Sequence, residues 1–260
     1  MSNTTTANIG PPWIFVLIMS WLIFLGSVGC DSPARPELPR LGQNWSATVM
    51  ISTASGAHGT GVFVSRNGHI LTNEHVANED PDNLTVAING SEALILDATV
   101  VATDPEHDLA IIQVKYTPRY VAVIETDDST FYPGDGCYSV GFPHRMGKLV
   151  SVGYVRSVCF SHSGSDIPPM ASDALILGQR MEPGTSGSGI FSLRYGRLVG
   201  LMSQIYWLGN HPLQLLDNPI IVPARHIRTF LEAHQIPYHR TSPPLDERLR
   251  GRIRQLFQRR

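Results

Sequence analysis

Lysine is nearly missing from this 260-residue chain, where Lys115 and Lys148 stand against eighteen arginines. Charge of either sign is sparse, at 16 % of residues with a net of −2. Binding to nucleic acid by bulk charge needs a basic surplus, so no nucleic-acid partner is expected. Three cysteines, Cys30, Cys137 and Cys159, are too few for a disulfide scaffold or a four-thiolate zinc site. H-E-x-x-H, C-x-x-C, P-loop and Rossmann fingerprints are all missing, so neither a metal nor a nucleotide cofactor is expected. What is present is 42 % hydrophobic residues, 23 glycines and 19 prolines. That mixture suits a packed core built from short elements and many turns, which is a β-rich composition.

Residues 237–260 hold seven arginines and two acids, so a basic tail of +5 offsets a body of −7. The N-terminal part carries an uncharged apolar run from Trp13 to Gly29, at the short end of a membrane span and just above a signal-peptide core. Cys30 follows in Ser27-Val28-Gly29-Cys30-Asp31, a small-residue box that resembles a bacterial lipoprotein cleavage site with Cys30 as the lipidated residue. A cleaved signal, a lipidated Cys30 and an uncleaved anchor all remain open, as does membrane sidedness. Residues 31–44 read as a Pro-rich linker. At 245–257, Leu245, Leu249, Ile253, Leu256 and Phe257 share a helical face ringed by arginines. Either a solvated helix or a basic amphipathic helix on an anionic membrane fits that pattern.

Between these ends the hydrophobic period is that of strands. Six runs (47–53, 60–65, 69–72, 84–88, 93–101, 109–115) precede a break near 117–135. Six more follow (136–141, 149–158, 174–177, 189–193, 197–205, 219–222). Twelve strands in two groups predict an all-β fold of two β-barrels, about 45–120 and 130–222. After Pro223, Ile227, Phe230, Leu231 and His234 share one face and predict a C-terminal helix.

The chemistry concentrates in three places. Pro183-Gly184-Thr185-Ser186-Gly187-Ser188-Gly189 presents a serine on a small-residue turn, where glycines permit the backbone angles that expose a hydroxyl beside backbone N–H groups. A nucleophilic serine needs a base, and His75 ends the hairpin Gly59-Thr60-Gly61-Val62-Phe63-Val64 … His69-Ile70-Leu71-Thr72-Asn73-Glu74-His75. A carboxylate must hold the imidazole in one tautomer. In Asp104-Pro105-Glu106-His107-Asp108-Leu109-Ala110, Asp108 opens an apolar strand while Asp104 reads as a turn residue.

The order His–Asp–Ser with T-N-x-H-V, D-x-x-x-D-L-A and P-G-x-S-G resembles the trypsin-like peptidases of the HtrA (Deg) type. Gly134-Asp135 and Cys137-Tyr138-Ser139-Val140-Gly141-Phe142-Pro143 are similar to that family's turn and strand in the second barrel. Leu198-Val199-Gly200-Leu201 is similar to its cleft-lining strand, and the likeness spans residues 45–236. It implies a chymotrypsin-like fold of two six-stranded antiparallel barrels with a C-terminal helix. It also implies a triad of Ser186 as nucleophile, His75 as base and then acid, and Asp108 as orienting carboxylate, with the N–H groups of Gly184 and Ser186 as oxyanion hole. Residues 178–182 and Ser203, Gln204 and Ile205 would line the substrate pocket. Arg180 would favour acidic side chains if it faced inward and would be neutral to specificity if it faced solvent. The strands would bring Cys137 and Cys159 together, either bridged or as two buried thiols.

Departures from the family are Thr185 for asparagine and Ser188 for glycine, and the 24 residues after Ile236 leave no room for the usual PDZ domain. The implied activity is that of a serine endopeptidase acting on protein or peptide substrates, in envelope protein quality control or regulated proteolysis. The expected location is the periplasmic side, tethered by the N-terminal segment. The alternatives are a silent pseudoprotease serving as a tethered peptide-binding module, and a protease directed only at its own linker or one partner.

Overall fold

The structure, a computed structural model, describes residues 38–88, 94–127, 131–158, 175–180, 182–205 and 219–240. The expected membrane segment with Cys30, the 245–257 pattern and Cys159 lie outside the described residues. Among the described residues no helix is long and apolar enough to cross a membrane.

Six strands close the first barrel: β1 Thr48–Ser52, β2 His58–Phe63, β3 His69–Thr72, β4 Leu84–Ala87, β5 Ile95–Asp104 and β6 Leu109–Val114. They run in the cyclic order β1-β2-β3-β6-β5-β4, every pair antiparallel. A two-residue strand, β7 Val123–Ile124, leads out of it. The second barrel uses β8 Gly136–Gly141, β9 Leu149–Val158, β10 Leu175–Leu177, β11 Gly189–Ser192, β12 Leu198–Ile205 and β13 Pro219–Pro223. The order β11-β8-β9-β10-β13-β12 is closed by pairing of β12 back to β11. Alternation of buried and more exposed residues shows in β1 and β5, whereas β3, β11 and β13 are buried along their whole length. Val49 and Ile51 of β1 point inward, between partly exposed Met50 and Ser52. In β5 a bulge between Val100 and Ala102 shifts the register, and along the strand only the small Ala98 and Ala102 are buried while Ile95 and Val101 stay exposed.

Three of the elements that were not foreseen lie outside the two six-stranded barrels. Helix α1, Leu41–Ala47, begins inside the expected linker. Asn44, fully buried, donates from Nδ2 to Tyr138 Oη (2.7 Å) and to the Gly196 carbonyl (2.9 Å), and Tyr138 Oη donates to the Pro39 carbonyl. Lys148 Nζ donates to the Trp45 and Thr48 carbonyls. From residue 38 onward the chain is therefore fastened to the second barrel by long-range polar contacts, which leave no hydrophobic period. The other two are β7 and the equally short β14, His239–Arg240, which pair in parallel at Val123↔His239 and add to β12 through Leu198↔Ile124. Two residues are too few to show a strand period.

The predicted C-terminal helix forms as α3, Ala224–Ala233, with Ile227, Phe230 and Leu231 buried. His234 follows the helix as an exposed cap residue and packs edge-on against Phe230 at 5.0 Å. Beneath it, Arg228 donates to the Glu125 carbonyl, and the Glu125 carboxylate pairs with the buried Arg197 guanidinium at 3.2 Å.

Candidate active site

The β2–β3 hairpin carries His75 into place. Past Thr72 the chain makes one helical turn, α2 Glu74–Ala77, and His75 sits in it with its side chain 47 % exposed. Its Nδ1 lies 2.9 Å from Asp108 Oδ1 and 3.0 Å from Oδ2, and its backbone N–H donates to the same Oδ1 at 3.1 Å. A carboxylate facing Nδ1 selects the tautomer protonated there, which leaves Nε2 free as the basic nitrogen. Burial acts most strongly on the imidazole and opposes its charged form. The hydrogen bond and charge of Asp108, aided by Glu74 and Glu79, outweigh it and raise the pKa above the ordinary histidine value.

Asp108 enters from the β5–β6 turn. Asp104 Oδ1 accepts the N–H groups of Glu106 and His107, and its Oδ2 meets His107 Nδ1 at 2.8 Å. That makes Asp104 the turn-forming carboxylate and leaves Asp108 to point inward, 7 % exposed and in the left-handed region at φ 53°. Ser203 Oγ donates to Asp108 Oδ2. The Ser203 side chain, expected to line the substrate pocket, is fully buried and turned towards the carboxylate. Position on the strand was readable for Ser203, but the direction of its hydroxyl was not. Gln204 and Ile205 lie at the end of β12, with side chains outside the described residues.

Ser186 is held by two successive tight turns. Thr185 N–H donates to the Glu182 carbonyl, and Ser188 N–H to the Thr185 carbonyl. The third residues of these turns are Gly184 and Gly187, at φ 93° and 83°, angles that a type II turn demands and glycine supplies. A Cβ on Gly184 would run into the His58 imidazole and the Phe142 carbonyl, and one on Gly187 into the Thr60 carbonyl. Thr60 of the first barrel supports both turns. Its Oγ1 donates to the Gly184 carbonyl (2.8 Å) and accepts the Phe142 N–H, and its backbone N–H donates to the Ser186 carbonyl (2.8 Å). The N–H groups of Gly184 and Ser186 donate to no acceptor among the described residues.

His75 and Ser186 line one cleft of about 110 Å³ together with Thr53, Ala57, His58 and Glu79. That is below the size of pockets that engulf small molecules and suits a chain laid across the surface. His58 was not singled out from the sequence. Burial, then the nearby Arg145 and His144 charges, hold its pKa down against the Phe142 carbonyl. Arg180 does not border this cleft. It is exposed and lines a separate hollow of about 440 Å³ with Ser139, Gly141, Gln179, Glu182 and Thr185. Among the described residues, no three His, Cys, Asp or Glu side chains converge to hold a metal ion. Cys137 is a buried free thiol, its pKa pushed up to about 12 by that burial.

A double barrel in which a histidine, paired with a buried carboxylate, shares a cleft with a serine defines the class of chymotrypsin-like proteins. The trypsin-like peptidase domain matches residues 59–201, more than half of the chain, and the chain belongs to that family. Curated relatives include the probable periplasmic serine endoproteases DegP-like of Bartonella henselae, 33 % identical over 151 residues, and of Brucella suis, 32 % identical over 152. Each match covers 58 % of this chain and 28 % of the relative, so the chain spans under a third of their length. Among solved structures, the inactive form of Rv3671c from M. tuberculosis H37Rv superposes with a TM-score of 0.63 at 23 % identity, covering 78 % of this chain and 93 % of that one. The HtrA-type protease AlgW with tripeptide gives 0.60 at 23 % identity, covering 75 % and 60 %. At these identities the likeness shows the fold.

Proposed function

We propose that this chain is a serine endopeptidase working through a His75–Asp108–Ser186 triad. The observation that carries the reading is the pairing of His75 Nδ1 with Asp108 beside a serine that shares the cleft and is flanked by two undonated N–H groups. In the reaction, His75 Nε2 takes the Ser186 hydroxyl proton as Oγ adds to the scissile carbonyl carbon. The negative charge that forms on the carbonyl oxygen is met by the Gly184 and Ser186 N–H groups. Removing one such donor typically lowers kcat about 10²- to 10³-fold. Collapse breaks the C–N bond, the imidazolium returns its proton to the leaving amine, and an acyl-Ser186 ester remains. Water, deprotonated by His75, then releases the acid and restores the serine. Asp108 holds the imidazole ring and steadies the imidazolium.

The relatives' names, periplasmic serine endoproteases, support a role on the envelope side for protein or peptide substrates. The Trp13–Gly29 run and Cys30 supply the tether in this reading, with the basic tail as a second membrane contact. Incubation of the purified chain with casein and with a peptide library tests the activity. Cleavage by the wild type and none by Ser186→Ala supports it, whereas equal cleavage by both, or none by either, refutes it. Incorporation of a palmitate analogue at Cys30 tests the lipidated form of the tether.

A further inference from the structure

Asn73 stands at the N-cap of α2, with the extended backbone (φ −82°, ψ 152°) that a cap residue adopts, and asparagine is among the best caps. Yet its side chain makes no capping hydrogen bond. Fully buried, the carboxamide instead donates from Nδ2 to the Asp108 carbonyl, 35 residues away, at 3.0 Å. The capping duty is met from the other side, because Asp108 Oδ1 accepts the His75 N–H in the first turn of the helix. Side chain and backbone are thus exchanged between the two segments. Asn73 holds the Asp108 main chain, and the Asp108 side chain holds the helix that carries His75.

The exchange bears on catalysis because Asp108 is left-handed at φ 53°. Aspartate enters that region more readily than most residues, but still at a cost that the contacts around it must offset. Relaxation to negative φ would swing the carboxylate away from the imidazole and from Ser203. The opposite amide orientation would set Asn73 Oδ1 against a carbonyl oxygen, so the donor assignment follows from the partner. Resting on the triad reading above, we infer that Asn73 is a positioning residue, whose carboxamide locks Asp108 in the conformation that orients His75.

Two substitutions separate this role from helix capping. Asn73→Ser keeps a good cap but is too short to reach the Asp108 carbonyl, and Asn73→Asp is isosteric but lacks the donor. Both are expected to lower kcat about 10- to 100-fold with KM held within about twofold, as misplacement of catalytic groups does. Asn73→Ser should also move the acid limb of kcat/KM to lower pH, because His75 loses Asp108 while Glu74 and Glu79 remain. Wild-type kcat in either folded variant, or an unmoved limb in Asn73→Ser, overturns the inference. If both variants unfold, 15N-labelled wild type gives the readout. Slow exchange of the Asn73 side-chain amide protons supports the lock, and exchange at the rate of exposed amides overturns it. A wild type that itself cleaves nothing refutes the triad reading, so the two failures are distinguishable.

Discussion

Thr60→Val is the most informative single change outside the triad. Thr60 is fully buried, and its hydroxyl joins the two barrels by donating to the Gly184 carbonyl at 2.8 Å and accepting the Phe142 N–H at 3.1 Å. Valine has nearly the same shape, so no cavity opens and the perturbation is the loss of one oxygen. It leaves a buried carbonyl and a buried N–H without partners, each a loss of about 1–3 kcal/mol. The expected total is about 2–6 kcal/mol, read as a lower urea midpoint at unchanged slope. In the proposed mechanism Gly184 also supplies one of the two N–H groups that meet the oxyanion, and its backbone is then free to rotate. The rate of peptide hydrolysis should fall by up to about 10²-fold, short of the full loss of an oxyanion donor, with KM little changed. Thr60→Ser keeps the hydroxyl and should recover most of both effects. A Thr60→Val protein as stable and as active as wild type would refute the claim that this strut shapes the nucleophile turn.

Four further outcomes follow from buried charge and burial. Glu125→Ala takes the paired carboxylate from the buried Arg197 guanidinium and acceptors from the Thr126 and Asp127 N–H groups, so stability should fall by about 3–5 kcal/mol in urea unfolding, and a loss under 1 kcal/mol contradicts the pairing. For the pH profile, His75 acts as a base only when neutral, and its pKa is raised above 6.5. Activity should therefore rise with pH along a limb centred above 6.5, and a wild-type limb below that value speaks against the Asp108 pairing. Asp108→Asn should lower kcat by about 10⁴-fold. Cys137, with its thiol pushed up to about 12, should resist alkylation in the native protein and react in urea, as peptide mapping by mass spectrometry would show.

His75, Asp108 and Ser186 were legible because each lies where a strand ends, in a local pattern that states its geometry: T-N-x-H after a hairpin, D-L-A opening an apolar strand, and P-G-x-S-G on a double turn. The twelve barrel strands were legible for the same reason, since alternation and turn residues are local. What could not be read is what depends on approach in space. Ser203 meets Asp108 across 95 residues and Thr60 meets Gly184 across 124, and nothing near either residue marks the encounter. Asn44 fastens α1 to Tyr138 across 94 residues, so a helix was hidden in a Pro-rich stretch. Asn73 precedes a helical turn that the sequence did not announce, and only the fold shows its carboxamide turned to another segment.

The central claim is that Ser186 is an activated nucleophile. The direct measurement is reaction of the purified chain with a fluorophosphonate, followed by peptide mapping of the adduct. The account predicts one phosphonyl group per chain, on Ser186, lost in His75→Ala. A wild type that stays unlabelled while a control protease reacts, or a label carried on another residue, would contradict it.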